Sequence, residues 1–420
     1  MLEYCLFKQY FNQGGSDTKS VELFAGAGGL AMGCEIAGFN HLAVVEWDKW
    51  ACDTVRENQN RGYPLLVNWV LHEGDVRDFD WSSVPQGIDL LAGGPPCQPF
   101  SIGGKHKAHA DNRDMFPATV EVIRQLKPKA FIVENVKGLT RSSFANYFTY
   151  IQLQLEFPEV PPLENEDWSE HLARLQSEKT SGKRKGRGLT YNVVPSLVNA
   201  ADYGVPQKRE RVFIIGFRDD LNVEWFFPNP THSYDALLRD QWITGIYWKR
   251  HGLSMPPIPQ KLVNRLAKLR QAPLFDTLAW RTIRDAIQGL PNPRSRAAAG
   301  VPNHVFQSGA RSYPGHTGSP LDLPAKTLKA GDHGVPGGEN MLVKEDGGVR
   351  YFTVRESARI QTFPDGFRFH GSWTETMRQL GNAVPVLLAQ RVACSVAEQL
   401  VLAELRTIER IQKSNKRMSA

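Results

Sequence analysis

From Lys19 onward the chain alternates short apolar runs with longer amphipathic ones. Ser20-Val-Glu-Leu-Phe24 predicts a strand, Ala25-Gly-Ala-Gly-Gly29 a tight turn, and Leu30, Met32, Cys34, Ile36 and Ala37 the apolar positions of a helix. Leu42-Ala-Val-Val45 predicts a second strand that ends on Glu46, and 48–58 a second helix. Gly74-Asp75-Val76 closes a third strand. Ile88–Leu91, Ala130–Val133 and Val212–Ile215 are further short apolar strands, with a helix over 114–127 between the first two. Strands that alternate with helices predict an α/β fold: a Rossmann-like, mostly parallel sheet with helices on both faces.

The pattern shifts along the chain. Residues 1–18 read as a tail that ends in a flexible Gly14-Gly15 pair. Residues 19–220 read as the α/β domain, interrupted at about 156–188 by a charged stretch with Lys183-Arg184-Lys185-Gly186-Arg187, taken as a solvated insertion. Over 221–350 the alternation stops and Pro, Gly, Trp and His accumulate. This predicts a smaller irregular domain with one amphipathic helix carrying Ile283, Ala286, Ile287 and Leu290. From Tyr351 helical patterning resumes, and 351–420 reads as a return to the first domain, closed by a long helix over 386–412 that Pro385 opens.

Composition narrows the class. With 41% hydrophobic and 22% charged residues the chain is an ordinary folded one. It has no stretch of about 18 uncharged apolar residues that would predict a membrane span. The N-terminus lacks the layout of a secretory signal. Five scattered cysteines without a CxxC pair argue against a disulfide scaffold or a zinc site built on such pairs, and fit reduced thiols in a cytoplasm. The net charge of +6 leans toward a polyanionic partner.

Chemistry gathers where predicted strands end. Gly26-Ala-Gly28-x-x-Ala31 lies between a strand and a helix, and Glu46 follows 20 residues later at the next strand's end. In that layout glycines let a nucleotide approach the backbone and the acid accepts from ribose hydroxyls. Trp47 and Phe24 offer stacking surfaces for an adenine, and Asp75 an acceptor for an exocyclic amine. Each has an ordinary alternative, core packing for the rings and turn chemistry for Gly-Asp. Gly93-Gly-Pro-Pro-Cys97-Gln-Pro-Phe-Ser101 holds a cysteine framed by prolines on a loop at a strand's end, which makes Cys97 a nucleophile candidate. Gly103-Gly104 would hinge a basic loop through Lys105, His106, Lys107, His109 and Arg113. Glu134, at the end of the strand Phe131–Val133, is placed to act as a proton donor. Period-two alternation puts Gln207, Arg209 and Arg211 on one face, where arginines can donate to a carbonyl or a phosphate. Asn382 could bond a ligand or cap a helix.

The ordered set Phe-Ala-Gly-x-Gly-Gly, Glu-Trp, Gly-Asp-Val, Pro-Pro-Cys-Gln, Glu-Asn-Val, Gln-x-Arg-x-Arg, Arg-Glu-x-x-Arg and Gly-Asn-x-Val resembles the cytosine-5 DNA methyltransferases of bacterial type, over about 19–216 and 351–400. The resemblance implies S-adenosyl-L-methionine as cofactor, with S-adenosyl-L-homocysteine as product, and a cytosine flipped out of double-stranded DNA as substrate. It makes 221–350 the target-recognition domain. It puts Phe24, Ala25, Gly26, Gly28, Gly29, Glu46, Trp47, Asp75, Val76, Pro95, Asn382 and Ala383 at the cofactor. Met115 stands where the family usually has leucine. Candidate DNA contacts are Ser101, Lys105, Gln207, Arg311, Lys326, Thr327 and Lys329, where Thr327-Leu328 matches a doublet late in the family's recognition domains.

The implied chemistry explains the residue set. Carbon 5 of cytosine is too poor a nucleophile to take a methyl group unaided. Addition of the Cys97 thiolate to carbon 6 makes an enamine of the ring, Glu134 protonates ring nitrogen 3, and Arg211, with Arg209, donates to the 2-carbonyl oxygen. Gln98 accompanies Cys97 in the motif. The expected protein is a monomer, of the cytoplasm and not of a membrane, and the modification enzyme of a restriction–modification system whose endonuclease acts separately. The same chemistry on RNA is the nearest alternative, although a recognition region of some 130 residues argues for DNA. An inactive DNA-binding relative would have no need of Cys97, Gln98 and Glu134. A nicotinamide oxidoreductase would share the glycine turn and leave Cys97 and Gln207–Arg211 without a purpose.

Overall fold

A computed structural model describes residues 18–96, 114–182, 188–273, 275–330 and 340–418. The chain divides into two compact units: 1–197, 211–227 and 389–420 form one, and 198–210 with 228–388 the other.

The first unit is built on a seven-stranded sheet in the order β3-β2-β1-β4-β5-β7-β6. The strands are β1 (Lys19–Leu23), β2 (Asn40–Glu46), β3 (Leu71–Glu73), β4 (Leu90–Gly93), β5 (Ala130–Val136), β6 (Tyr191–Asn199) and β7 (Glu210–Arg218). β1 pairs parallel with β2 and β4, β2 with β3, and β4 with β5, whereas β7 runs antiparallel to β5. The connections are α1 (Gly29–Ile36), α2 (Lys49–Asn60), α3 (Phe116–Leu126), α4 (Ala145–Glu156) and α5 (Trp168–Ser181). The inner parallel strands β1, β2, β4 and β5 are buried along nearly their whole length, as helices on both faces require, whereas the edge strand β3 is not. Strand order reverses between β1 and β4, and that switch point is where such sheets bind ligands beyond the strands' carboxyl ends.

The charged stretch 156–188 is not simply a solvated insertion. Asp167 and Glu170 close a capping box at the start of α5, whose buried face carries His171, Leu172 and Leu175. Buried His171 lies 2.9 Å from the Tyr150 hydroxyl on α4 and 2.8 Å from the Val160 carbonyl. The i, i+3, i+4, i+7 spacing of Trp168, His171, Leu172 and Leu175 marks a core-facing stripe that the surrounding charges obscure.

The second unit holds α6 (Tyr234–Trp242), α7 (Ile246–Arg250), α8 (Val263–Gln271), α9 (Ile283–Ile287), α10 (Val354–Ile360) and α11 (Trp373–Asn382), with short β8 (His232–Ser233), β9 (Leu278–Ala279), β10 (Ser319–Pro320), β11 (Met341–Val343) and β12 (Val349–Tyr351). The chain rejoins the first unit at Ala389, not near 351. The reason is packing: Phe352 and Ile360 share a core with Ile283, Ala325, Leu328 and Leu342.

The long α12 (Val386–Met418) belongs mostly to the first unit. Gly33 of α1 lies so close to it that a Cβ would collide with Ala389. This helix is long and apolar enough to cross a membrane by length and composition. Ala389, Val392, Ala393, Val396 and Ala397 are nevertheless buried inside the unit, which accounts for the apolar run.

Candidate active site

The turn after β1 is shaped by three left-handed residues: Phe24 (φ 55°), Gly26 (φ 55°) and Gly28 (φ 88°). Gly28 must be glycine twice over, because a Cβ there would also lie 2.8 Å from the Trp69 ring. A Cβ on Gly26 would meet nothing within 4 Å, so its backbone faces open space that a ligand can approach. Gly29 opens α1 and is buried. The Ala25 N–H donates to the Val45 carbonyl at 3.2 Å, which ties the turn to β2.

Glu46 ends β2 beside this turn. Its Oε2 accepts from the Gly26 N–H at 2.6 Å and its Oε1 from the Asp48 N–H at 2.7 Å. Burial pushes its pKa up, and these N–H donors counter part of that push. Next to it Trp47 is 69% exposed, an aromatic face that no core claims. Asp48 then caps α2 by accepting from the Ala51 N–H. Asp75 follows β3 and is gripped by Arg77, whose Nε lies 2.9 Å from Oδ1. That guanidinium holds the Asp75 carboxyl below the usual range. Val76 is buried in the core and offers at most its backbone.

Beyond β4, Pro95 is fixed by Asn135, whose Nδ2 donates to the Pro95 carbonyl at 2.9 Å. A Cβ on Gly94 would come within 3.1 Å of Glu134 Oε2, so this glycine lets the loop pass close to the acid. Pro96 and Met115 are joined by a Met115 N–H to Pro96 carbonyl bond of 3.2 Å. Cys97, Gln98, Ser101 and Lys105 lie outside the described residues. The chain nevertheless enters Cys97 from a segment packed against Glu134. Glu134 is 7% exposed and forms an ion pair with Arg211, Oε1 to Nε 2.8 Å. The antiparallel register of β5 and β7 creates the pair, setting Val136 opposite Arg211 and Glu134 opposite Phe213. Burial lowers the Arg211 pKa, and the Glu134 charge works against that shift.

The second unit holds the remaining candidates, and two have a different place from that expected. Arg209 is fully buried, and its Nη1 and Nη2 donate to the carbonyls of Leu328 (3.0 Å) and Gly381 (2.6 Å). Gln207 is likewise fully buried, donating to Gln361 Oε1 at 3.0 Å and accepting from the Leu328 N–H at 3.0 Å. Neither is a surface contact for DNA in this structure. Both hold backbone within the unit, because the face they share turns inward. Gln361, unremarked in the sequence, links Gln207 to the carbonyls of Leu380 and Ala383. Thr327 donates to the Lys208 carbonyl, Lys326 Nζ to Thr317, and Lys329 and Arg311 are exposed. Asn382 is exposed at the end of α11, and Ala383 follows as its C-cap. Among the described residues no three His, Cys, Asp or Glu side chains converge to hold a metal.

The model of the C-5 cytosine-specific DNA methylases matches residues 18–157 and 183–398. The chain belongs to that family. It is a DNA (cytosine-5) methyltransferase dependent on S-adenosylmethionine. Similar proteins include the Type II methyltransferase M.PspPI of Psychrobacter sp. (strain TA137), 31% identical over 90% of this chain and 79% of that protein. M.NgoMIV of Neisseria gonorrhoeae is 29% identical over 91% of this chain and 97% of its own length. Among solved structures, the S. pombe Dnmt2 methyltransferase shares the fold at a TM-score of 0.51 and 15% identity, covering 91% of this chain and 99% of that one.

The residues present fit the cofactor. Gly26 leaves its backbone open, Glu46 presents a buried carboxylate at the strand end, and Trp47 offers an uncovered ring.

Proposed function

We propose that this enzyme methylates carbon 5 of a flipped-out cytosine within a short duplex sequence through a covalent Cys97 adduct, and that it serves as the modification half of a restriction–modification system. The observation that carries the mechanism is the Glu134–Arg211 pair, held beside the Gly94–Pro95 segment that leads into Cys97. The system-level reading rests on relatives named as Type II methyltransferases.

The Cys97 thiolate adds to carbon 6 and forms a C–S bond. The ring electrons move toward nitrogen 3, where Glu134 delivers a proton. Arg211, oriented by Glu134, donates to the 2-carbonyl oxygen and stabilises the charge that builds there. S-adenosylmethionine supplies the electrophilic methyl group that the activated carbon 5 accepts. Nitrogen 3 returns its proton to Glu134 once carbon 5 carries the methyl group, and loss of the carbon 5 proton to a base then breaks the C–S bond and frees the thiolate. Phe24, Gly26, Glu46, Trp47 and Asp75 would hold the cofactor, joined by Asn382. The enzyme acts on DNA in the cytoplasm, as a monomer.

Expression in a host without its own 5-methylcytosine, followed by methylation sequencing, tests the reading. One methylated motif across the genome is expected. Unmethylated DNA together with methylated RNA would overturn it.

A further inference from the structure

The geometry points to Arg294 as a guanine-reading residue of the second unit, on the premise that the enzyme methylates a duplex DNA sequence. A cavity of about 1020 Å³ in that unit is lined by five cationic side chains, Arg250, Arg284, Arg294, Lys344 and Arg350. Four of them are spoken for. Arg250 pairs with Asp285 at 2.9 Å, Arg284 with Asp322 and Glu345 at 2.7 Å each, Lys344 with Asp346 at 2.7 Å, and Arg350 with Glu356 through two nitrogens. Arg294 is different: among the described residues its side chain makes no ion pair or hydrogen bond. Its guanidinium carbon instead lies 4.1 Å from the centre of the Phe306 ring.

The loop that carries Arg294 is rigid. In Pro291-Asn292-Pro293-Arg294-Ser295 the Ser295 N–H donates to the Asn292 carbonyl at 2.8 Å, and the Arg294 N–H to Asn292 Oδ1 at 3.0 Å. Buried His304 anchors the entry, its Nε2 lying 2.7 Å from the Pro291 carbonyl and its Nδ1 2.9 Å from Thr353 Oγ1. The backbone is thus tied at both ends of the turn, and the Phe306 ring packs against the guanidinium. A planar fork that is held against a ring and has no acceptor matches two acceptors side by side, which in the major groove is the O6/N7 edge of guanine. That packing lowers the entropy lost on binding. A phosphate accepts the same fork, so base reading and phosphate contact are separated by the sequence and salt dependence measured below. The same cavity presents Gln288 and Gln307, amides suited to neighbouring base edges.

The test uses the full-length enzyme once its methylated motif has been read from host DNA. Arg294→Lys keeps the charge and loses the fork, and Arg294→Ala loses both. Methylation is measured on the true duplex and on duplexes with each G·C pair around the target replaced in turn. The account expects both variants to lose discrimination at one guanine, by roughly five- to 150-fold. Arg294→Lys should leave the salt dependence of DNA binding as in wild type. Unchanged discrimination overturns the proposal. So does an equal loss on all duplexes with the salt slope reduced by about one, which would mark a phosphate contact. If Arg294→Ala does not fold, Phe306→Leu removes the packed ring and should weaken the same discrimination; an unaffected Phe306→Leu enzyme counts against the proposal. A wild-type enzyme that methylates no DNA would instead remove the premise, a separate and distinguishable failure.

Discussion

Arg211 Nε lies 2.8 Å from Glu134 Oε1, across the junction of the two antiparallel neighbours β5 and β7. Each residue sits within two positions of the end of its strand, with about a tenth of its side chain exposed. The sheet therefore delivers an acid and a cation to one edge already in contact. This pair should separate chemistry from binding. Glu134→Gln keeps the shape and cannot deliver a proton, so kcat should fall at least ~10²-fold. The KM for S-adenosylmethionine should stay near its wild-type value. Steady-state kinetics at saturating DNA checks both. A collapsed cofactor affinity with normal turnover would place Glu134 in the cofactor site instead.

Arg209 should behave as a structural residue. Replacing it with Met strands two buried carbonyls, at about 1–3 kcal/mol each. Thermal unfolding should show a clear drop in Tm, while the enzyme that remains folded at low temperature turns over at close to the wild-type rate. An unchanged Tm with kcat reduced a hundredfold would return Arg209 to the substrate.

Glu22 predicts a pH dependence. It is fully buried in mid-β1, and neither carboxyl oxygen has a hydrogen-bond partner among the described residues. Burial pushes its pKa well above the usual carboxylate range. Between the ordinary and the raised value the folded chain keeps a proton that the unfolded chain has lost, so this group lowers stability as pH rises. His41, buried between Ser20 and the Ala31 carbonyl, is lowered to about 4 by burial. Below the usual histidine range the unfolded chain takes up a proton that folded His41 refuses until about 4, so stability falls as pH drops through that window. Tm measured from pH 5 to 9 should show the Glu22→Gln variant losing less stability than wild type on the alkaline side. The acid-side loss due to His41 should remain. Parallel curves for the two proteins would contradict the assignment.

Local features were legible in the sequence. The glycine turn, Glu46 and the strand into Glu134 each have a signature within a few residues, and the structure sets them toward the carboxyl ends of parallel strands of one sheet. Long-range partnerships were not legible. Period-two alternation correctly grouped Gln207 with Arg209, but no local signal says whether their shared face meets solvent or protein. Their partners Leu328, Gly381 and Gln361 lie 119 to 172 residues away. The capping box at Asp167 and Glu170 was present in the sequence, hidden in a run of charges. The boundary at Ala389 depends on which core Phe352 and Ile360 enter, which again only tertiary packing decides.

The central claim is that Cys97 bonds to carbon 6 of the target cytosine. A duplex with 5-fluorocytosine at the methylated position tests it most directly, because fluorine blocks the elimination that frees the thiolate. Incubated with S-adenosylmethionine and examined by denaturing mass spectrometry, wild-type enzyme should carry the DNA strand covalently, with the linkage mapping to Cys97. The Cys97→Ser variant should carry none and should show no methyl transfer. Absence of any adduct from a wild-type enzyme that fully methylates the unmodified duplex would contradict the account.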